Sequence, residues 1–485
     1  VQQFNLSSPH AYEWKRFPDT EAMLHRWIED GLLGNRFAAD LAHRMTNETG
    51  TRFFDWVDHL VVSSPSDLSV QLEQAGYHRD WAVSHGIRST VFQHSGGLFP
   101  RVVVSSNADS EVPEIAIKVD NAADFVRAHD LGVTIEGYAL GPYRVARVGG
   151  EKTTLAAVER RAYRGFEPFD GEMAREGRLA PHSARDALAA HDLWHSRKRR
   201  FDNDEQGFDH TEAVLDRVIE LCHGSQSLAC HLVFEAERTF WQSRNRAAQV
   251  QKARQDRLGL GWANHDHHTF RCSRRFFPRV MGIFSRLGFV PREQFHAGAH
   301  AGWGAQIVEH PTTSIVIFAD LDLSPDETKI NFAKEVLPEL PNPGTVGLWV
   351  GLHGESMLDA GMHHLEAQFD FNALRDQLKS EAAIDCMPPF SDFPFLRQAF
   401  TKGECWPVSR ARADRLLAIG WIDTKQHQQF LTEGAIGSHL ENLQRRDGYK
   451  GFNQQAVSAI IEATDPRKQR EQVVAATAAA GTLPE

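Results

Sequence analysis

Val57-Asp58-His59-Leu60-Val61-Val62-Ser63 and His265-Asp266-His267-His268-Thr269-Phe270-Arg271 are the two stretches on which the fold of this chain turns. Each sets an Asp-His pair near the head of a run whose β-branched or aromatic residues favour a strand. Each is followed by an amphipathic segment and then a glycine-aromatic pair, Gly76-Tyr77 or Gly288-Phe289. A glycine just past a helical run is the residue that most easily takes the left-handed turn ending a helix. Strand, helix and glycine in the same order, twice, mark an internal repeat.

The repeat extends outward from these strands. Gly97-Leu98-Phe99-Pro100-Arg101-Val102-Val103-Val104 parallels Gly302-Trp303-Gly304-Ala305-Gln306-Ile307-Val308-Glu309. Glu114-Ile115-Ala116-Ile117-Lys118-Val119-Asp120 parallels Ser314-Ile315-Val316-Ile317-Phe318-Ala319-Asp320. The expected fold is α+β, with paired βαβββ modules and helical N-terminal, central and C-terminal additions. A helical segment is expected at 1–50, with Thr20 as an N-cap, and a first βαβββ-type half at 51–180. A helical insertion at 181–260 should pack on the sheets as a spacer, or act as a lid. The second half, 261–384, should carry the metal ligands, and 385–485 reads as helical.

Composition narrows the function. The chain has 485 residues, with 53 basic and 64 acidic side chains and a net charge of −11. A mildly acidic surface lacks the basic footprint of a nucleic-acid binder and does not favour anionic membranes. No apolar run is long enough to span a bilayer, and the first residues show no signal-peptide pattern. Five scattered cysteines form neither a disulfide framework nor a thiolate zinc site, so a reducing, cytoplasmic setting is expected. Histidine is the unusual residue, with 25 copies, several of them clustered.

Side chains alternate along a strand. If the two halves face each other across a pseudo-twofold axis, His59 and His267 occupy equivalent inward places and converge. Glu309 ends the last paired strand of the second half where the first half has Val104. Two histidines and one carboxylate with open positions suit a non-haem Fe(II) centre, with Zn, Mn, Ni or Co as other possible ions. His265 shares the face of His267 in a regular strand, so it is an alternative ligand, as are His363 and Glu366. Leu348 to Ser356 reads as strand then turn. It brings His353 and Glu355 near, as residues that orient ligands or move protons. Arg271, four residues after His267 on the same face, is the favoured fork for a substrate carboxylate, with Arg88 second.

These residues resemble the vicinal oxygen chelate superfamily, whose members pair βαβββ modules with first-strand histidines and a last-strand glutamate. The local likeness rests on His267-His268-Thr269-Phe270-Arg271 and Gly304-Ala305-Gln306-Ile307-Val308-Glu309, and spans roughly 50–150 and 262–371. Within it the chain is most similar to the 2-oxoadipate dioxygenase/decarboxylase-like family. That family's first ligand sits in a His-Gly-Ala-type segment, which His85-Gly86-Ile87-Arg88 resembles, so His85 competes with His59. The resemblance implies oxidative decarboxylation of a 2-oxo acid by Fe(II) and O2, with a small-molecule carboxylate as partner. A metal-dependent lyase or isomerase with Glu355 or Glu366 as base, a zinc hydrolase, and a non-catalytic binding protein are the competing readings. No glycine-rich phosphate loop or nucleophile elbow appears.

Overall fold

The computed structural model describes residues 14–63, 67–80, 90–105, 112–161, 165–166, 181–296, 302–324, 326–327, 330–453, 460–461 and 464–468. Its first sheet is built from β1 (Val57–Ser63), β2 (Tyr77–Arg79), β3 (Thr90–His94), β4 (Arg101–Ser105), β5 (Glu114–Val119), β6 (Ile135–Glu136), β7 (Tyr143–Gly149) and β8 (Thr154–Arg160). The order across that sheet is β2-β3-β4-β1-β5-β8-β7-β6. The second sheet is built from β9 (His265–Arg271), β10 (Val290–His296), β11 (Trp303–Glu309), β12 (Val316–Asp322), β13 (His364–Gln368), β14 (Ser391–Phe393), β15 (Leu396–Phe400), β16 (Glu404–Trp406) and β17 (Ala435–Arg445). Its order is β10-β11-β12-β9-β13-β17-β15-β14, with β16 paired on β17.

The two orders are the same. In each sheet a βαβββ unit lies beside a second, and the units meet at their first strands: β1 against β5, β9 against β13. The fold is thus α+β with paired βαβββ units, and each half holds two units rather than one. The second sheet runs on to Arg445, so the stretch read as wholly helical from 385 contributes its closing strands. Helices remain there at Arg410–Ala418 and Thr424–Glu433.

Strand parity decides which face is apolar. In the first sheet Leu60, Val62, Val102, Val104, Ile115 and Ile117 pack under helices, including Leu24 and Trp27 of Pro18–Leu33. In the second, Phe270, Ile317 and Leu365 pack against Leu232, Val233 and Phe234 of the helix Gln226–Ser243. The central helices therefore cover the outer face of the second sheet, as a spacer does. The opposite faces carry His59 and His267.

Two glycines fix how the halves align. Gly76 and Gly288 both have positive φ, +90° and +93°. A Cβ on Gly76 would meet His94 Nε2, and one on Gly288 would meet His310 Nε2. His94 Nδ1 accepts from the Gly96 and Gly97 amides, and His310 Nδ1 from the Thr312 and Thr313 amides. His94 ends β3 and His310 follows β11, so β3 matches β11, β4 matches β12 and β5 matches β13. The sequence pairing of Arg101–Ser105 with β11 is one strand out of step.

Two local expectations also change. Thr20 does not cap: the first helix starts with Pro18 at its first position, and Thr20 Oγ1 donates to Ala75 O at 2.8 Å. Thr345–His353 is a helix, not a strand.

Candidate metal centre

The site begins with a β-bulge. Val57 pairs with Ile117 and His59 with Ala116, so two residues of β1 stand against one step of β5. His265 pairs with Ala367 and His267 with Glu366, the same irregularity in the second sheet. A bulge turns a side chain out of strict alternation, and here it brings the aspartate beside the next imidazole. Asp58 Oδ2 lies 2.8 Å from His59 Nδ1, and Asp266 Oδ1 lies 2.8 Å from His267 Nδ1. An arginine near the end of the last strand holds each aspartate: Arg160 Nη2 at 2.7 Å from Asp58 Oδ2, Arg445 Nη2 at 3.2 Å from Asp266 Oδ1. A carboxylate on Nδ1 fixes the ring and leaves Nε2 as the ligating nitrogen.

In the second sheet, Nε2 meets carboxylates. His267 Nε2 is 2.7 Å from Glu366 Oε1, which is also 2.6 Å from His364 Nε2. His364 Nε2 is 3.8 Å from Glu441 Oε2, and Gln398 Nε2 donates to Glu441 Oε1 at 2.8 Å. One donor atom each of His267, Glu366 and Glu441 lies within 4.8 Å of the others, and all three residues are buried. The carboxylates come together because β13 and β17 are parallel neighbours carrying the same tripeptide. His364-Leu365-Glu366 pairs residue for residue with His439-Leu440-Glu441.

The charges are arranged for a cation. Burial opposes ionisation of Glu366, but His267 and His364 outweigh it and hold the carboxyl below its ordinary range. Burial and the adjacent Glu366 charge push Glu441 well up, so the pair keeps one proton. Burial works against a charged His267, yet Glu366 and Asp266 raise it. Without an ion, protons on Glu441 and His267 offset the carboxylate charge, and a divalent ion bound there would replace them. Glu366 Oε2 is buried with no hydrogen-bond partner. Such an oxygen costs on the order of 1–3 kcal/mol unless something positive faces it, and a metal ion fits it. One imidazole and two hard carboxylates suit Mn(II) or Fe(II) better than a thiophilic ion.

The walls are aromatic. Phe318 lies 4.4 Å from His267 and Phe400 5.0 Å from His364, between ring centroids. Phe295, Trp303 and Phe452 continue this apolar lining. Arg271, on the same strand as His267, is 1% exposed, and its Nε and Nη1 have no hydrogen-bond partner.

The expected triad of His59, His267 and Glu309 is not assembled. His59 belongs to the first sheet, where its ladder neighbours are Ala116 and then Ala156. The corresponding neighbours of His267 are Glu366 and Glu441. In place of that glutamate pair, His59 Nε2 has the single carboxylate of Glu114 at 4.0 Å, and its ring has Phe166 at 5.5 Å between centroids. Glu309 precedes His310 as Gln93 precedes His94, so its counterpart is Gln93, not Val104. Its side chain is 42% exposed and faces Arg292 at 3.8 Å.

Of the alternatives, Glu366 is in the group. His265 leaves the His267 face because of the bulge, and its ring packs on His268 at 5.2 Å. His363 Nδ1 is held by Gly437 O at 3.1 Å, although its ring lies 4.9 Å from that of His364. His353 Nε2 donates to Ile436 O at 3.0 Å, beside Trp406. Glu355 accepts from the Ser273 amide at 3.1 Å and opens on a separate cavity of about 560 Å³ lined by Cys272, Arg274 and Arg415. His85 and Arg88 lie outside the described residues. Glu441 was not foreseen as a candidate ligand, nor His364 as the imidazole beside Glu366. The repeated His-Leu-Glu was the signal that could have found them.

No family model matches the chain, and no curated protein does. Among solved structures it is similar to a protein of Ralstonia eutropha JMP134 named for the glyoxalase superfamily. That match has 10% identity over 56% of this chain and 97% of that one, at a TM-score of 0.31. It is also similar to a variant of 4-hydroxymandelate synthase from Streptomyces coelicolor, at 12% identity, 85% and 98% coverage and a TM-score of 0.23. A Mn(II)-bound glyoxalase from Novosphingobium aromaticivorans matches at 10% identity, 81% and 82% coverage and a TM-score of 0.17.

Proposed function

We propose that this chain is a mononuclear metalloenzyme that acts on a small carboxylate, and in finer terms an Fe(II)-dependent dioxygenase that decarboxylates a 2-oxo acid. The observation that carries the reading is the buried His267, Glu366 and Glu441 group beside the unpaired Arg271. When bound, the ion would supply Lewis acidity and, as iron, redox chemistry with O2. The protein's own part is positional. Asp266 and Arg445 fix the His267 ring, Gln398 orients Glu441, and Thr269 Oγ1 donates to Glu366 at 3.3 Å. Arg271 would take the substrate carboxylate in a bidentate grip, and Phe318 and Phe400 would keep water from the reacting atoms.

The oxygen-rich donor set also favours a second reading, a Mn(II)-dependent lyase or isomerase on the same site. One experiment separates them. Protein purified without oxygen is analysed for metal, then O2 uptake and CO2 release are followed over a panel of 2-oxo acids. The dioxygenase reading expects one iron per chain and matched consumption of O2 and 2-oxo acid. Turnover of the same acids without O2 selects the lyase or isomerase, and a chain that binds no divalent ion defeats both.

A further inference from the structure

Arg271 and Asp320 are register partners on the parallel strands β9 and β12. Both are buried, at 1% and 4% exposure. A buried arginine and aspartate side by side ordinarily close into an ion pair, because leaving either charge alone costs several kcal/mol. These two do not close. Among the described residues, no hydrogen bond or ion pair is made by the Asp320 carboxyl, and Arg271 Nε and Nη1 have no partner. Neither charge is spent on the other, so both remain to meet a further polar group.

Their surroundings say what. His267 and Glu366 are close enough to act on the Asp320 charge, so the Arg271–Asp320 pair adjoins the candidate metal group. Asp322, two residues on, accepts from the Gly344, Val346 and Gly347 amides, and its charge and that of Asp465 act on Arg271 only after that of Asp320. Burial pushes the Asp320 carboxyl up to about 7, against the pull of Arg271. A carboxyl in that range passes protons in both directions near neutral pH.

We infer that Asp320 is the general acid–base of the site, taking a proton from the carbon next to the carbonyl of a 2-oxo acid whose carboxylate rests on Arg271. This rests on the proposed carboxylate substrate and adds to it an enolisable C–H at the third carbon. In the step, the C–H bond breaks and its electron pair moves into the enolate. A new O–H bond forms on Asp320, and return of that proton, or exchange with solvent, restores the carboxylate. No oxidant is needed, so the step can be read without O2.

The test follows hydrogen–deuterium exchange at the third carbon of pyruvate and 2-oxoglutarate by NMR, in D2O, without O2, on full-length protein loaded with Mn(II). Wild type should exchange at least one acid, with a rate that rises with pH as the Asp320 carboxyl loses its proton. Asp320→Asn should slow exchange about 100-fold or more, with a flat pH profile. Its Mn(II) content and calorimetric affinity for the acid should be unchanged, and Asp320→Glu should recover part of the rate. Exchange by Asp320→Asn at the wild-type rate overturns the assignment, as does a wild type that exchanges neither acid. A wild type that takes up no Mn(II) defeats the metal centre alone. Asp320 is then judged by the same exchange signal in metal-free protein.

Discussion

The two sheets share a strand order, a bulge and an aspartate–histidine–arginine relay, yet among the described residues only the second gathers a candidate cation site. The first sheet keeps Asp58, His59 and Arg160, as the second keeps Asp266, His267 and Arg445. The difference lies one and two strands away, where Ala116 and Ala156 stand in the first sheet and Glu366 and Glu441 in the second. Neighbouring positions move the same way. Arg101 occupies the place of Val316, so a cation sits beside His59 where an aliphatic residue sits beside His267. The relay that orients an imidazole and the anions that capture an ion are therefore separable parts. Among the described residues, the first half shows the relay without the glutamate pair.

Removing ligands tests that separation most severely. Glu366→Ala or Glu441→Ala should reduce divalent-metal affinity at least about 1000-fold, since each removes one of three protein ligands and leaves a buried partner unbalanced. His59→Ala should leave metal content unchanged by elemental analysis. Equal loss in both would mean that the halves share one centre after all.

Buried carboxyls of the two halves that lack a shared role are treated by folding in opposite ways, as Asp58 and Glu355 show. Burial opposes the charge of Asp58, but Arg160 and His59 outweigh it and hold it well below the ordinary range. That group adds stability above its unfolded pKa, and the contribution is lost only as pH falls toward its folded one. Glu355 in the second half goes the other way: burial pushes it up to about 7. A carboxyl raised on folding binds more protons in the native state, so its contribution becomes steadily worse as pH rises from its unfolded value to about 7. Glu355→Gln should therefore stabilise the protein at pH 8, by an amount on the order of 3 kcal/mol, and do little at pH 4. Denaturant unfolding at both pH values measures it. A pH-independent effect would place the cause in packing rather than charge.

The relay gives the smallest contrast. Asp266→Asn keeps the shape but weakens the hold on His267, and metal affinity should fall about 10- to 100-fold. Asp58→Asn should not alter metal affinity. Titration with Mn(II) compares them directly, and equal losses would show that the first relay supports the centre at a distance.

The repeat itself was legible in sequence because Asp-His and the glycines at 76 and 288 are punctuation that both halves keep. The strand count was not. Matching Arg101–Ser105 to β11 slid the alignment by one strand and carried Glu309 into a site it does not reach. Glu441 was missed for a physical reason: Ile436, Leu440 and Leu443 recur at helical spacing, directly after two true helices. All eleven residues of β17 are buried, so its polar face lines a site rather than water, and strict alternation never shows. The opposite error befell Thr345–His353. There Leu348, Trp349, Val350 and Leu352 are all buried, and a run apolar on every side does not reveal its period. Arg271 was readable because its four-residue offset from His267 survives beyond the bulge.

β17 has a further consequence for how the molecule is made. A ribosome delivers Glu441 long after His267 and Glu366, with the whole of β14 to β16 in between. Until that strand docks, the nascent chain presents an incomplete ligand set and an unpaired edge on β13, the kind of non-local closure that folds slowly. At the proposed centre an ion would therefore be gained after synthesis of the second sheet, as the keystone of a finished arch rather than the seed of a growing one.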